Sequence, residues 1–317
     1  MNPFVFIVGC PRSGTTLLRR MIDAHSEVAI IDETRWIAAF FERRNGLTSE
    51  GMVTPKLIDE LLEYDRFAKL EIGRKELENL LRDGPPISYP DFVAGIFDLY
   101  GRRRSKYLVG DKTPRYARRI PELHALWPHA KFVHIIRDGR DVALSVLNWK
   151  KADRALGRFS TWGRDSLTTV ALWWELHLLL ARETGSSLSP ELYYEMQYEA
   201  LISDTTNECK KLCKFLKIPY QDAMLRFHEG RERTDPGLDA KKAWRPVTAG
   251  LRDWKTQMSD ADMERFEAVA GSLLEELGYY LASRPGTASL EHAAEIRHSF
   301  IKDLASRSHA LPENWSS

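Results

Sequence analysis

The sequence predicts the α/β class: a central parallel sheet flanked by helices, with a helical insertion. Three observations carry this expectation. Short apolar runs at Phe4 to Val8, Val28 to Ile31, Tyr107 to Gly110, Lys131 to Ile136 and Leu192 to Tyr198 alternate with stretches of helical spacing. A glycine-rich turn, Gly9 to Thr16, joins the first run to the first helix. The stretch from Thr54 to about Arg104 is helical and rich in charge, with no strand pattern inside it.

In chain order, Leu17, Leu18, Met21 and Ile22 recur at helical spacing after the turn. The second run leads into Asp32, Glu33, Thr34 and Arg35, and Trp36, Ile37, Phe40 and Phe41 then continue as a helix. In the insertion Thr54 and Pro55 read as cap and first-turn residue, and Pro85, Pro86 and Pro90 as breaks. Helices Pro114 to Leu126 and Gly139 to Asn148 follow the third and fourth strands. An apolar helix around Leu172 to Leu180 precedes the fifth strand, and Trp173 and Trp174 within it read as core. Asp204 to Leu216 follows as a helix. Ser259 and Asp262 then cap a helix whose stripe of Met263, Phe266, Val269, Ala270, Leu273 and Leu277 ends at Gly278. The expected division is a main domain over residues 1–284, its insertion at about 42–106 acting as an acceptor lid. A C-terminal helical appendage, 285–317, carries a last helix from Leu290 to Leu304.

The chain has 317 residues, 43% hydrophobic and 29% charged, enough for one large core or a core plus a subdomain. A net charge of +1 gives no reason to expect nucleic acid or an anionic membrane as partner. No apolar stretch approaches spanning length and the N-terminus lacks a secretory pattern, so a soluble cytoplasmic protein is expected, with a homodimer left open. Cys10, Cys209 and Cys213 have no partners at zinc spacing and read as reduced thiols; no metal site is expected.

GCPRSGTT places Gly9 and Gly14 five apart between a strand and a helix, a P-loop spacing that turns backbone N–H groups and the positive helix end towards one anion. Ser13, Gly14, Thr15 and Thr16 would line that cradle. The lysine of the nucleoside-triphosphate version is replaced by Thr15, which argues against a γ-phosphate, and Arg12 is the substitute cation. A second anion site is expected where Arg137 ends the fourth strand and Ser145 stands eight residues on; the bland alternative pairs Arg137 with Asp138. Two phosphate pockets at two strand ends suit a nucleotide phosphorylated at two places.

These motifs resemble those of sulfotransferases that use 3′-phosphoadenosine 5′-phosphosulfate (PAPS): PRSGTT is similar to their 5′-phosphosulfate loop, and Arg137 with Ser145 to their 3′-phosphate motif. Tyr198-Glu199-Ala200-Leu201 is similar to a segment whose tyrosine lies near the adenosine. Arg245 to Lys255 resembles the late loop that closes over the nucleotide, which implies donor contacts for Thr248, Leu251 and Arg252. The resemblance implies transfer of a sulfuryl group from PAPS to an acceptor hydroxyl, with no metal. The acceptor stays open between a small molecule, a sugar, a lipid and a peptide tyrosine.

Where the cytosolic branch carries Lys-Thr-His, with the histidine as base, this chain has Lys112, Thr113 and Pro114. The segment AHSEVAIIDETRWI resembles tyrosylprotein sulfotransferases, which implies Glu33 as general base and Arg35 on the substrate side. Lys112, with Arg12, would stabilise the leaving oxygen. His25 and Asp32 remain competing bases; a helix-start acid and a solvated lysine are the bland readings of Glu33 and Lys112. The basic run Arg102 to Arg104 with Lys106 reads first as a solvated helix end. Other functions the loop permits are a kinase or nucleotide hydrolase, and a catalytically idle nucleotide-binding module.

Overall fold

The computed structural model describes residues 2–82, 85–229, 253–307 and 310–315, leaving aside the side chains of Arg82 and Asn314. Five strands, β1 (Val5–Val8), β2 (Val28–Asp32), β3 (Leu108–Lys112), β4 (Lys131–Ile136) and β5 (Tyr193–Gln197), form one parallel sheet in the order β2-β3-β1-β4-β5. All pairings are parallel, as the alternation of strands and helices requires. Because β1 lies between β3 and β4, the chain leaves it on one side for β2 and later crosses to the other for β4. That reversal opens a crevice at the carboxyl ends of the strands.

Alternation along β1 sends Phe6 and Val8 to one face and Val5 and Ile7 to the other. On the second face Leu18, Met21 and Ile22 of α1 (Thr15–Asp23) meet Cys209, Leu212, Cys213 and Leu216 of a later helix, Thr205–Leu216. The first face is covered by α2 (Trp36–Arg43) and by the insertion, whose helices are α3 (Pro55–Glu63), a 3-10 turn Phe67–Leu70, α4 (Arg74–Arg82) and α5 (Tyr89–Arg102). Isolated antiparallel bridges, Leu47 to Val53 and Met52 to Ser88, tie the insertion's ends together. Thr54 takes the cap position of α3, but its hydroxyl bonds the Gly46 carbonyl at 2.9 Å instead of a helix N–H.

The helix expected from Pro114 to Leu126 is divided into a 3-10 turn, Pro114–Arg118, and α6 (Ile120–Leu126). The break falls at Arg119, whose backbone at φ −137° and ψ 16° is not helical, and Pro121 stands in the first turn of α6, where its missing N–H costs no helical bond. After β4 come α7 (Gly139–Leu147), α8 (Ala152–Leu156) and the buried α9 (Ser166–Ser187), in which Trp173 and Trp174 are core as expected. α10 (Tyr198–Ser203), α11 (Thr205–Leu216), the short α12 (Trp254–Gln257), α13 (Asp260–Glu276) and α14 (Thr287–Ala305) complete the described chain.

Ser259 accepts from the Asp262 N–H at 3.2 Å, and Gly278 ends that segment at φ 80°, as their residue types suggest. α14 lies in the segment expected as an appendage, yet its Ala293, Ile296, Phe300 and Leu304 are buried in the core cluster of α7, α9 and α13. Phe300 stacks on Phe159 with centroids 4.2 Å apart, and Arg297 lies 2.7 Å from Glu175 on α9. Among the described residues no helix is long and apolar enough to cross a membrane.

Candidate active site

The glycine-rich turn runs from β1 into α1 with Gly9 at φ 152° and Gly14 at φ 93°. A Cβ on Gly14 would stand 2.4 Å from Tyr198 Cδ2, and one on Gly9 2.5 Å from the Ile135 carbonyl oxygen, so both positions demand glycine. Ser13 is buried and its Oγ has no partner, an orphaned donor in a loop whose geometry suits an anion. Thr15 is buried and Thr16 half-buried at the start of α1.

The two anion sites expected at separate strand ends lie side by side. β1 and β4 are hydrogen-bonded neighbours, and Arg12 Nε donates to Ser145 Oγ on α7 at 3.1 Å. Arg12 holds φ 81°, a left-handed conformation that a non-glycine residue adopts at a cost, and its guanidinium lies 5.6 Å from the Trp149 ring centroid. Instead of serving the loop alone, Arg12 therefore reaches across to the second motif.

Arg137 ends β4 with its guanidinium 4.4 Å from the Tyr198 ring centroid, so Tyr198 touches both motifs. Its acid partner is Asp141, 3.0 Å away, and not Asp138. Asp138 is occupied by Arg140, which donates to both its carboxylate oxygens and, at 2.6 Å, to Glu267 on α13. Arg137 Nε is buried without a partner, a second donor left over at the crevice.

Smaller motifs act as fasteners. Glu199 accepts from the Asp138 N–H at 3.0 Å and from the Tyr279 hydroxyl at 2.9 Å, so the Tyr-Glu segment and the Leu-Gly-Tyr ending hold each other in place. Trp174 Nε1 donates to the Arg137 carbonyl, and the Trp254 N–H donates to Asp141. Thr248, Leu251 and Arg252 lie outside the described residues.

The residues expected on the acceptor side stand where β2 and β3 end together. Asp32 pairs with Lys112 in strand register, and Ile7 of β1 is the other register neighbour of Lys112. Lys112 is 2% exposed, far from a solvated strand-end lysine, and its Nζ lies 2.6 Å from Asp32 Oδ1 and 3.1 Å from Glu33 Oε1. Glu33 also pairs with Arg35 and, at 3.2 Å, with Arg66 from the insertion.

Burial raises the pKa of both acids, but neighbouring cations prevail. Lys112 and Arg19 bring Asp32 down to about 2, and Lys112, Arg35 and Arg66 hold Glu33 below the usual carboxylate range. Glu33 at φ 54° and Arg35 at φ 55° are both left-handed, backbone strain concentrated beside the carboxylate.

His25 is not at this crevice: it is buried below α1, with Nε2 on the Pro219 carbonyl and Nδ1 accepting from the Glu27 N–H. The basic run after α5 is largely self-contained: Arg103 meets Glu76, Arg104 lies over Tyr100 and Lys106 bonds the Asp23 carbonyl. Sequence reasoning missed the Asp32–Lys112 pair and the reach of Arg66, both set by long-range packing. The partial signals were the acid pair Asp32-Glu33 and a charged insertion facing it.

The sequence model of the sulfotransferase family matches residues 3–222. The chain is 29% identical over 285 residues to protein-tyrosine sulfotransferase 1 of Danio rerio, covering 87% of this chain and 72% of the relative. It is 25% identical over 284 residues to protein-tyrosine sulfotransferase A of Caenorhabditis elegans, covering 88% and 67%. Among solved structures, the sulfotransferase domain of the Synechococcus PCC 7002 olefin synthase shares the fold, with TM-score 0.56, 22% identity and coverage of 88% of this chain and 96% of that one. The sulfotransferase domain of the curacin biosynthetic pathway does so too, with TM-score 0.53, 20% identity and coverage of 98% and 99%. With a match over more than half its length, the chain belongs to the sulfotransferase family, and its activity is the transfer of a sulfuryl group.

Proposed function

We propose that the crevice binds PAPS and passes its sulfuryl group to a phenolic hydroxyl, with Glu33 as general base. The observation that carries this reading is Lys112 Nζ held between Asp32 and Glu33 at the end of β3, the strand beside the phosphate-loop strand. The fit of a doubly phosphorylated donor rests on the residues present: orphaned donors on Ser13 and Arg137, a glycine cradle with no room for Cβ atoms, and Ser145 beside Arg12. Ser13, Gly14, Thr15 and Thr16 would hold the 5′ end, Arg137 and Ser145 the 3′-phosphate, and Tyr198 the adenosine side.

The donor supplies an activated sulfuryl group on a good leaving phosphate. Glu33, ionised throughout the neutral range, takes the acceptor proton as the new oxygen–sulfur bond forms. Lys112 carries three N–H donors; two face Asp32 and Glu33, and the third is available to the bridging oxygen as its bond to sulfur breaks. Arg35 stands on the acceptor side, against Glu33.

A carboxylate held below its usual pKa is a weak base, best matched to an acidic hydroxyl. A phenol, with pKa about 10, suits it better than an aliphatic alcohol. The named activity of the similar protein-tyrosine sulfotransferases agrees with a phenolic acceptor.

Thermal shift with a nucleotide panel tests the donor. Adenosine 3′,5′-bisphosphate is expected to raise the melting midpoint strongly and ATP with magnesium weakly, since stabilisation follows ligand concentration over Kd. The reverse ranking would overturn the proposal.

A further inference from the structure

Glu33 at φ 54° and Arg35 at φ 55° are left-handed on either side of Thr34, just after β2 ends. Neither is glycine, so each conformation is costly and persists only where the surroundings over-determine it. Consecutive residues of β3 supply that restraint. The Glu33 N–H donates to the Lys112 carbonyl at 2.8 Å, and the Thr34 N–H donates to Asp111 Oδ2 at 3.1 Å. Thr34 Oγ1 lies 3.0 Å from the Tyr116 hydroxyl, and the Trp36 N–H closes a turn on the Thr34 carbonyl at 2.6 Å. Thr34, Asp111 and Tyr116 are all buried.

Alternation along β3 sends Asp111 and Lys112 to opposite sides of the strand. Lys112 turns to the carboxylates of Asp32 and Glu33, whereas Asp111, two residues after Val109, faces the core cluster that holds Val109 and Tyr116. Burial pushes the pKa of Asp111 up to about 7, against hydrogen bonding from Thr113 and Thr34 and the charge of Lys112. Keeping a buried carboxyl is costly, and its bond to a backbone N–H offsets part of that cost. Tyr116 stands on the 3-10 turn whose Pro114 carbonyl accepts from the Gly9 N–H at 3.1 Å. A chain of contacts therefore runs from the phosphate loop through this turn and Thr34 to Glu33.

We propose that Asp111 and Tyr116 are positioning residues of the transfer reaction: by holding Thr34 they fix the left-handed backbone at Glu33 and Arg35 and so set the Glu33 carboxylate at Lys112. The inference rests on Glu33 as general base and deepens that proposal by naming what holds the base in place. Neither residue needs to touch donor or acceptor. A displaced base loses rate through misaligned proton transfer, while donor binding at the ends of β1 and β4 is kept.

The test compares two acceptors in single-turnover transfer from sulfur-labelled PAPS at about pH 8: phenol, which needs a base, and 4-nitrophenol, which is mostly ionised there without one. Asp111→Leu is expected to slow transfer to phenol by roughly 10²-fold and to 4-nitrophenol by less than about threefold, with the midpoint shift from adenosine 3′,5′-bisphosphate kept. Asp111→Asn still offers an oxygen to the Thr34 N–H and should restore phenol transfer to within about threefold of native. Tyr116→Phe removes one hydroxyl and should show the same acceptor dependence more weakly, roughly fivefold on phenol; it carries the test if Asp111→Leu does not fold. Equal slowing of both acceptors, or an Asn variant no better than Leu, would overturn the positioning role. Glu33→Gln separates the two proposals. If it slows phenol far more than 4-nitrophenol while Asp111→Leu and Tyr116→Phe slow both alike, the positioning role fails and the base assignment stands. If Glu33→Gln itself slows both alike, the base assignment fails and the positioning role falls with it.

Discussion

Arg140 and Lys112 are both almost fully buried cations near the carboxyl ends of the sheet, at 1% and 2% exposure. Arg140 is bonded through all three of its side-chain nitrogens: Nε and Nη2 donate to Asp138, Nη1 donates to Glu267, and the Trp254 ring lies 3.5 Å from its guanidinium carbon. Glu267 in turn accepts from the Ala282 and Ser283 N–H groups, so the network spans the start of α7, α13 and the segment after α13. Lys112, with three N–H donors, has two carboxylate partners among the described residues, and stands beside two left-handed residues. A closed network fixes one geometry; an open one keeps valence for a ligand.

Breaking the closed network should cost most. Arg140→Ala leaves Asp138 and Glu267 as buried, uncompensated acids, with an expected loss of about 3–5 kcal/mol in urea unfolding. A loss below about 1 kcal/mol would show that the network does not hold α13 to the sheet. Breaking the open one should act on rate. Lys112→Met is expected to lower kcat by roughly 10²–10³-fold, with adenosine 3′,5′-bisphosphate still raising the melting midpoint. If the midpoint shift disappears while kcat at saturating donor is kept, Lys112 holds the donor and does not serve the leaving oxygen.

A smaller effect is expected at the loop. Gly14→Ala forces a side chain into a left-handed position against Tyr198, with a strain of about 1–3 kcal/mol and a weaker response to nucleotide. Native affinity in that variant would mean that Tyr198 can move away freely. The smallest effect is on pH dependence. Asp32 and Glu33 have folded pKa values below their unfolded ones, so their contribution is complete above about pH 4.3 and is lost on acidification, that of Asp32 as pH falls towards about 2. Asp32→Asn should flatten acid unfolding in that window, and an unchanged acid profile would show that the pair adds no stability.

The sheet was legible because each strand is a compact apolar run with its own helix, and the phosphate loop because glycine and hydroxyl spacing is local. The boundaries of β3 slipped by one or two residues, since Asp111 and Lys112 are polar yet buried at the strand end. The choice of Asp141 as the partner of Arg137, the contact of Arg12 with Ser145, and the arrival of Arg66 at Glu33 depend on how separate elements pack. The last of these spans 33 residues of sequence, and no local pattern announces it.

The most direct test of the account is single-turnover transfer from sulfur-labelled PAPS to a phenol by the native chain and by Glu33→Gln. The native chain should place the label on the phenol. Glu33→Gln should be slower by at least ~10²-fold, with its stabilisation by adenosine 3′,5′-bisphosphate intact. Labelled product from Glu33→Gln at the native rate would contradict the assignment of the base, and an unlabelled phenol with the native chain would contradict the proposed donor and acceptor together.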